Sequence, residues 1–390
     1  MSKLLKLLLS IVLALCLSVA FVGCDDSDDG DNVVTGEFVY ELVESEEDGE
    51  ADYYKITGYT VSSDDALKMA EGDFSGIKEA HRKIKIPATY AEDGEEKLEV
   101  KEIGSMAFAD QIILTSVDFT GSNIETIGVG AFSGCTSLEE IINLPFIGKD
   151  EKAIGEERVL GHLFSSVSTS EKNTSVTAKV YSAVEEADVS FTVPTSLKKV
   201  TTTATIIPEC AFYGLTMLET VEFANATSIG KSAFNGCTGI IYLNLPAVEY
   251  LYDGAFEACS ALQEVDFGQS LKYVGDGAFL NCSRLGYNFV SDDETILTVT
   301  IPNTVTYLGE KAFSGCTTLR YVVLGENVAT LYTGTFADCI ELKKVKTLAS
   351  AVEFKASVFA GCEKAELNVL KNDGSAWTLK SEVYGEANVG

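Results

Sequence analysis

The sequence predicts a mainly β fold with short helical turns, wound as a solenoid behind an N-terminal β cap. Three observations carry that expectation. The first is a motif that keeps returning, Ala-Phe followed by Cys three residues on and Leu three further: "AFSGCTSL" at Ala131, "AFNGCTGI" at Ala233, "AFEACSAL" at Ala255, "AFLNCSRL" at Ala278 and "AFSGCTTL" at Ala312, then "TFADCIEL" and "VFAGCEKA". "AFADQIIL" and "AFYGLTML" keep the frame without the Cys. The second is the period. The motif phenylalanines are Phe108, Phe132, Phe212, Phe234, Phe256, Phe279, Phe313, Phe336 and Phe359, separated by steps of 24, 80, 22, 22, 23, 34, 23 and 23 residues. The third is a short strand pattern in each period, as in "LETVEF", "LQEVDF" and "LRYVVL", with apolar residues at the first, fourth and sixth positions. Apolar runs this short cannot bury themselves alone, whereas stacked copies share one continuous core.

The chain opens with "MSKLLK" and the apolar run "LLLSIVLALCLSVAFVG", which ends at Cys24. A charged start, an apolar stretch and a small residue before Cys read as a signal peptide over 1–23 with lipidation at Cys24, the alternative being an uncleaved N-terminal anchor, for which the run is a little short. Two or more acyl chains there would hold the protein stably on a lipid bilayer. Residues 24–35 read as an acidic tether. From Asp25 to Asp52 there are thirteen acids and no base. Asp25, Ser27, Asp29 and Gly30 have the spacing of a calcium loop, but the twelfth position is Gly36, where a bidentate Glu is needed. The formal charge of −30 argues against a nucleic-acid partner, which is bound through basic patches.

Residues 36–97 read as the β cap. "EFVYELV", "DYYKITGYTV" and "RKIKIPATYAEDGEEKLEVKEI" supply its strands, and "DDALKMAEGDFSGIKEAH" forms an insertion with helical character. The solenoid proper is expected over 98–370. Within each period a turn follows the strand, and then a segment such as "IGKSAF" places an inward residue four before the Ala. The step of 80 hides a worn copy with Phe164 in the slot, followed by a looped-out insertion over 165–193. The step of 34 holds an excursion from Gly286 to Pro302. Residues 371–390 close the last coil, with Trp377 as a lid over an otherwise open sheet edge.

Seven of the ten cysteines, Cys135, Cys237, Cys259, Cys282, Cys316, Cys339 and Cys362, share one repeat position, while Cys210 stands directly before Ala211. Neighbouring coils set about 4.8 Å apart give parallel Cβ vectors. A disulfide needs Cβ atoms about 3.8 Å apart. The expectation is a ladder of buried free thiols acting as small hydrophobes.

These repeats resemble the BspA-type leucine-rich repeat of bacterial surface proteins, over about Leu98 to Leu370. "LPFIGKDEKAIGEERVLGHLF" is similar to the elongated repeat of that family. The resemblance implies a leucine-rich-repeat solenoid. It also implies a surface-exposed lipoprotein of the bacterial cell envelope, a binding or adhesion module for host or cell-surface proteins or glycans, since some members engage matrix proteins. A second class of function stays open, a structural scaffold of the envelope without a soluble ligand.

No catalytic constellation is legible. His81 and His162 are the two histidines, neither with a Cys or carboxylate at metal-ligand spacing, and no phosphate loop or nucleophile elbow occurs. The expectation is a monomer that is not an enzyme, with no metal and no cofactor. The candidate ligand-binding residues are the outward positions of the repeat strands: Tyr242, Asn244, Glu264, Asp266 and Tyr321. Ser116 and Asp118 continue that stripe at one end, and Lys344 and Lys346 at the other. Solenoids bind through such extended faces, and exposed aromatics among polar neighbours suit protein or glycan contact.

Overall fold

The computed structural model describes residues 37–44, 52–61, 65, 68, 76–77, 79–92, 94–145, 159–164, 175–182, 187–287, 298–363 and 367–385. The expected leader, Cys24 and the tether lie outside these residues.

At the N-terminal end β1 (Glu37–Val43) and β2 (Tyr53–Thr60) form an antiparallel hairpin, and a four-residue helix α1 (Glu79–Arg82) leads into β3 (Lys83–Lys85), β4 (Thr89–Tyr90) and β5 (Leu98–Ile103). The coils follow as pairs of very short strands: β6 (Ser116–Asp118) with β7 (Thr126–Ile127), then β8 (Glu140–Ile142). A hairpin of β9 (Ser175–Ser182) and β10 (Ala187–Pro194) interrupts the sequence. The pairs resume with β11 (Lys199–Thr201) and β12 (Ile206–Ile207), β13 (Thr220–Glu222) and β14 (Ser228–Ile229), β15 (Tyr242–Asn244) and β16 (Tyr250–Leu251), and β17 (Glu264–Asp266) and β18 (Tyr273–Val274). They continue through β19 (Thr298–Ile301) and β20 (Tyr307–Leu308), β21 (Tyr321–Leu324) and β22 (Thr330–Leu331), and β23 (Lys344–Thr347) and β24 (Glu353–Phe354), to β25 (Asn368–Leu370).

These strands stack in two parallel rows. The first row forms the sheets β3-β6-β8-β11-β13, β15-β17 and β19-β21-β23-β25; the second contains β12-β14-β16-β18-β20 and β22-β24. The sequence pattern had shown the first row only. The second is so short, two residues per coil, that alternation cannot reveal it. The parallel stacking begins inside the stretch expected to be cap, with β2 on β5 and β3 on β6, and continues with β5 on β7.

The interior explains the motif. Each Phe ring stacks on the next, with centroids 4.7 Å apart for Phe212–Phe234, 5.0 Å for Phe234–Phe256 and 5.5 Å for Phe256–Phe279, all within 11° of parallel. Burying each ring is worth roughly 1.5–3 kcal/mol. The Phe backbone N–H donates to the Ala carbonyl of the next coil, as in Phe256 to Ala278 at 2.8 Å. The residues four before Ala, among them Ile229, Leu251 and Val274, are fully buried. Phe164 sits in the same column: it is 1% exposed, and Phe132 N–H donates to the carbonyl of Leu163 at 2.8 Å. The worn copy is thus a true coil.

The cysteine ladder is free and ordered. All eight described cysteines are unpaired thiols. Each ladder thiol donates to the carbonyl of the motif Phe one coil earlier, from Cys237 to Phe212 at 3.0 Å, Cys259 to Phe234 at 3.1 Å and Cys282 to Phe256 at 3.1 Å. This explains Cys over Ala at the slot, because the thiol also satisfies an inward carbonyl. Burial pushes the Cys259 and Cys362 thiols up to about 12. Cys210 belongs to another column. Like Met106, Ser232, Lys311 and Ser357 before their own motif residues, it has a positive φ, here 55°. Its thiol, half-buried, is raised to about 11 by burial first and then by Glu209.

The far end is closed by Trp377, which donates its Nε1–H to Thr347 Oγ1 at 3.0 Å and meets Phe354 edge-on at 5.6 Å.

Candidate functional site

The first row positions the residues expected to bind. Tyr242 pairs with Glu264, Leu243 with Val265 and Asn244 with Asp266 along the parallel β15–β17 ladder. Alternation puts Leu243 into the core at 1% exposure and leaves the four polar neighbours outside. Tyr242 is 49% exposed. Its phenol is raised above the ordinary value by burial first and then by the carboxylates of Asp266 and Glu264. Asp266 Oδ1 accepts from the N–H of Gly268 at 2.9 Å, which fixes the turn after the strand. Tyr242, Asn244, Glu264 and Asp266 therefore form one patch.

Tyr321 does not join it. It lies on β21 in a separate sheet, paired in register with Thr298 and Lys344, and the Lys344 ammonium is 5.8 Å from its ring centre. β17 does not pair with β19, so the β15–β17 sheet ends there. Val265, expected inside, is only half-buried beside that break. At the other end Ser116, expected outward, is buried at 4%. The reason is the added strand β3. Ser116 lies in register between Lys83 and Glu140, whose longer side chains flank it, and Thr115 Oγ1 donates to the Arg82 carbonyl at 3.1 Å.

The second row holds aromatic residues that the sequence reading passed over. Tyr250, Tyr273 and Tyr307 occupy equivalent positions in β16, β18 and β20. Their signal was present, since each stands five residues before a motif Ala in "VEYL", "LKYV" and "VTYL". The Tyr273 and Tyr307 rings stack 4.7 Å apart at 6°, although 34 residues separate them in sequence. Tyr307 is raised by burial first and then by Asp276, whose Oδ1 accepts from its hydroxyl at 3.2 Å.

His81 has acquired a partner that local spacing did not show. Its Nδ1 lies 2.6 Å from Asp65 Oδ2, both residues being buried. The pair ties the insertion to the strand that follows. Among the described residues, no group of three or more His, Cys, Asp or Glu is placed to hold a metal. Cys24 lies outside the described residues.

Two rows of parallel strands on a Phe and Leu core, with one coil for each period near 23 residues, define a leucine-rich-repeat solenoid. The profile of the BspA type leucine rich repeat region, in six copies, matches residues 94–186, 187–296 and 285–375, and the chain belongs to that family. No curated protein matches it. Among solved structures, a leucine-rich repeat protein from Bacteroides ovatus is 20% identical, with 88% of this chain and 79% of that one covered and a TM-score of 0.37. A leucine rich cell surface protein from Faecalibacterium prausnitzii is 17% identical, with 83% and 96% covered and a TM-score of 0.31. The pneumococcal vaccine antigen PcpA is 12% identical, with 88% and 92% covered and a TM-score of 0.27.

Proposed function

We propose that this chain is a binding module held at a bacterial cell surface by a lipid on Cys24, and that its first-row strand face engages proteins or glycans. The observation that carries the reading is the patch itself. Tyr242, half in water, stands among Asn244, Glu264 and Asp266 on a rigid parallel ladder, and an exposed aromatic on a fixed scaffold is an inexpensive anchor for a partner. Membership of a repeat family whose units build extended faces supports it. The leader and Cys24 support the location.

A screen of the soluble fragment 36–390 against arrays of matrix proteins and glycans tests the role. Tyr242→Ala and Tyr321→Ala are expected to weaken any hit while leaving the melting temperature unchanged. Binding untouched by both variants places the contact elsewhere, with the 165–193 insertion as the next region to delete. Cys24→Ser tests the anchor: the variant is expected to leave the membrane fraction, and continued membrane partitioning with an uncleaved leader sinks the lipid assignment.

A further inference from the structure

Along the second row the tyrosines form a ribbon. The ring centres of Tyr250 and Tyr252 are 6.5 Å apart, Tyr252 and Tyr273 6.1 Å, Tyr273 and Tyr307 4.7 Å, and Tyr307 and Tyr332 5.2 Å. Tyr250 and Tyr252 are 38% and 46% exposed, and the others are half-buried. Tyr252 and Tyr332 each follow the buried residue of their strand by one. In the two coils between them that position is Gly275 and Gly309. Both glycines are buried, and a Cβ at either would meet the backbone nitrogen of the previous coil at 2.6 Å and the Oδ1 of Asp253 or Asp276 at 2.6 and 2.5 Å, so no further side chain stands between Tyr252 and Tyr332 in this column. Asp253, Asp276 and Glu310 come next along each coil and are exposed.

We propose that this tyrosine ribbon is a docking surface for a cationic protein segment, whose Lys or Arg heads rest against Tyr252 and Tyr332 and beside Asp253 and Asp276. Three observations select that occupant. Cations are attracted to tyrosine faces, and the ribbon already displays the contact, with the Lys272 ammonium 6.0 Å from the Tyr250 centroid while held by Glu249 at 2.6 Å. The flank is acidic at Asp253, Asp276 and Glu310, while Lys355, next in register beside Tyr332, is held by Glu353 at 2.6 Å; the whole chain carries −30, which draws basic partners from a distance. A flat sugar would need free ring faces. The faces of Tyr273 and Tyr307 that could serve as a joint platform are turned on each other at 6°. What remains open is Tyr252 and Tyr332, tilted 48° and 42° from their neighbours. The inference concerns a different face from the strand patch and does not depend on it.

The test is titration calorimetry on the full-length chain in detergent, at physiological salt, with an octapeptide alternating Lys and Gly and with cellohexaose as the neutral sugar. Tyr252→Leu combined with Tyr332→Leu is expected to weaken the peptide by about tenfold, while Tyr242→Ala combined with Glu264→Gln changes it by less than about twofold. Tyr252→Trp keeps a ring at the surface, so it reads the same contact even where the double variant fails to fold, and it is expected to tighten the peptide. Equal weakening by both double variants would reduce the effect to general charge attraction and overturn the proposal. So would an indifferent Tyr252→Trp, or cellohexaose binding that needs Tyr252 and Tyr332 while the peptide does not.

Discussion

The two strand rows are built from the same coils but are different surfaces. The first row is broken into three sheets, and its outward residues change from coil to coil: Thr220 and Glu222, then Tyr242 and Asn244, then Glu264 and Asp266. The second row runs unbroken from β12 to β20 and repeats tyrosine in three successive coils. Between β17 and β19 the first row changes sheet, whereas β18 and β20 stay paired in the second. The breaks do not follow the insertions, because β8 pairs directly with β11 across the β9–β10 hairpin while β13 and β15 part with no insertion between them; where a ladder is kept, as from β16 to β20, like residues stack on like.

The comparison can be sharpened by measuring what each layer contributes. The largest expected effect is collective and lies beneath both rows. The ladder thiols are raised by burial, Cys259 from 9.0 to about 12. Above pH 9 the unfolded chain releases protons that the folded chain retains, so this stabilisation is complete below pH 9 and is lost as pH rises toward 12. Thermal melts should therefore fall across that window, and Cys259→Ala should make the fall shallower. A melting temperature flat from pH 9 to 11 would mean that the thiols are not buried as described.

Next comes the core itself. Phe256→Ala removes one ring from the middle of the stack and should cost roughly 3–5 kcal/mol. Glu264→Ala on the strand face should stay within about 0.5 kcal/mol. Because coils couple to their neighbours, the Phe256 variant is also expected to split the unfolding transition. Equal shifts for the two variants would reverse the assignment of inside and outside.

Gly309→Ala addresses the second row directly. Its Cβ would sit 2.6 Å from the Asp276 nitrogen, a backbone contact that yields only if the coils part. Overpacking of this kind costs about 1–3 kcal/mol, and it should disturb the Tyr273–Tyr307 stack, read as a change in tyrosine near-ultraviolet dichroism. The strand patch, on the other row, should bind as before.

The smallest effect is a gain. Ala258 holds a φ of 58° in a column otherwise filled by Gly, Asn and Asp, namely Asp110, Gly134, Gly214, Gly236, Asn281, Gly315, Asp338 and Gly361. A Cβ in that conformation costs roughly 1–2 kcal/mol, so Ala258→Gly is expected to raise the melting temperature slightly. A loss would show that the methyl group packs usefully between coils.

The sequence by itself determined the coil. The spacing of Phe, Cys and Leu set the period, the inward residues and the free-thiol ladder, because each of these follows from which side chains recur at one interval. It also marked Phe164 as a coil member despite the missing Ala and Cys. The strand patch of Tyr242, Asn244, Glu264 and Asp266 was equally legible, since alternation along three residues assigns faces without knowledge of neighbours. Four things were decided only in three dimensions. Ser116 was covered by β3, a strand from outside the repeat pattern. Tyr321 was separated from the patch because β17 and β19 fall in different sheets. The Asp65–His81 pair and the Tyr273–Tyr307 stack arose from contacts between residues 16 and 34 positions apart. A one-dimensional pattern reports which face a residue takes within its own coil. Which residues meet across coils is set by the packing of whole coils against one another.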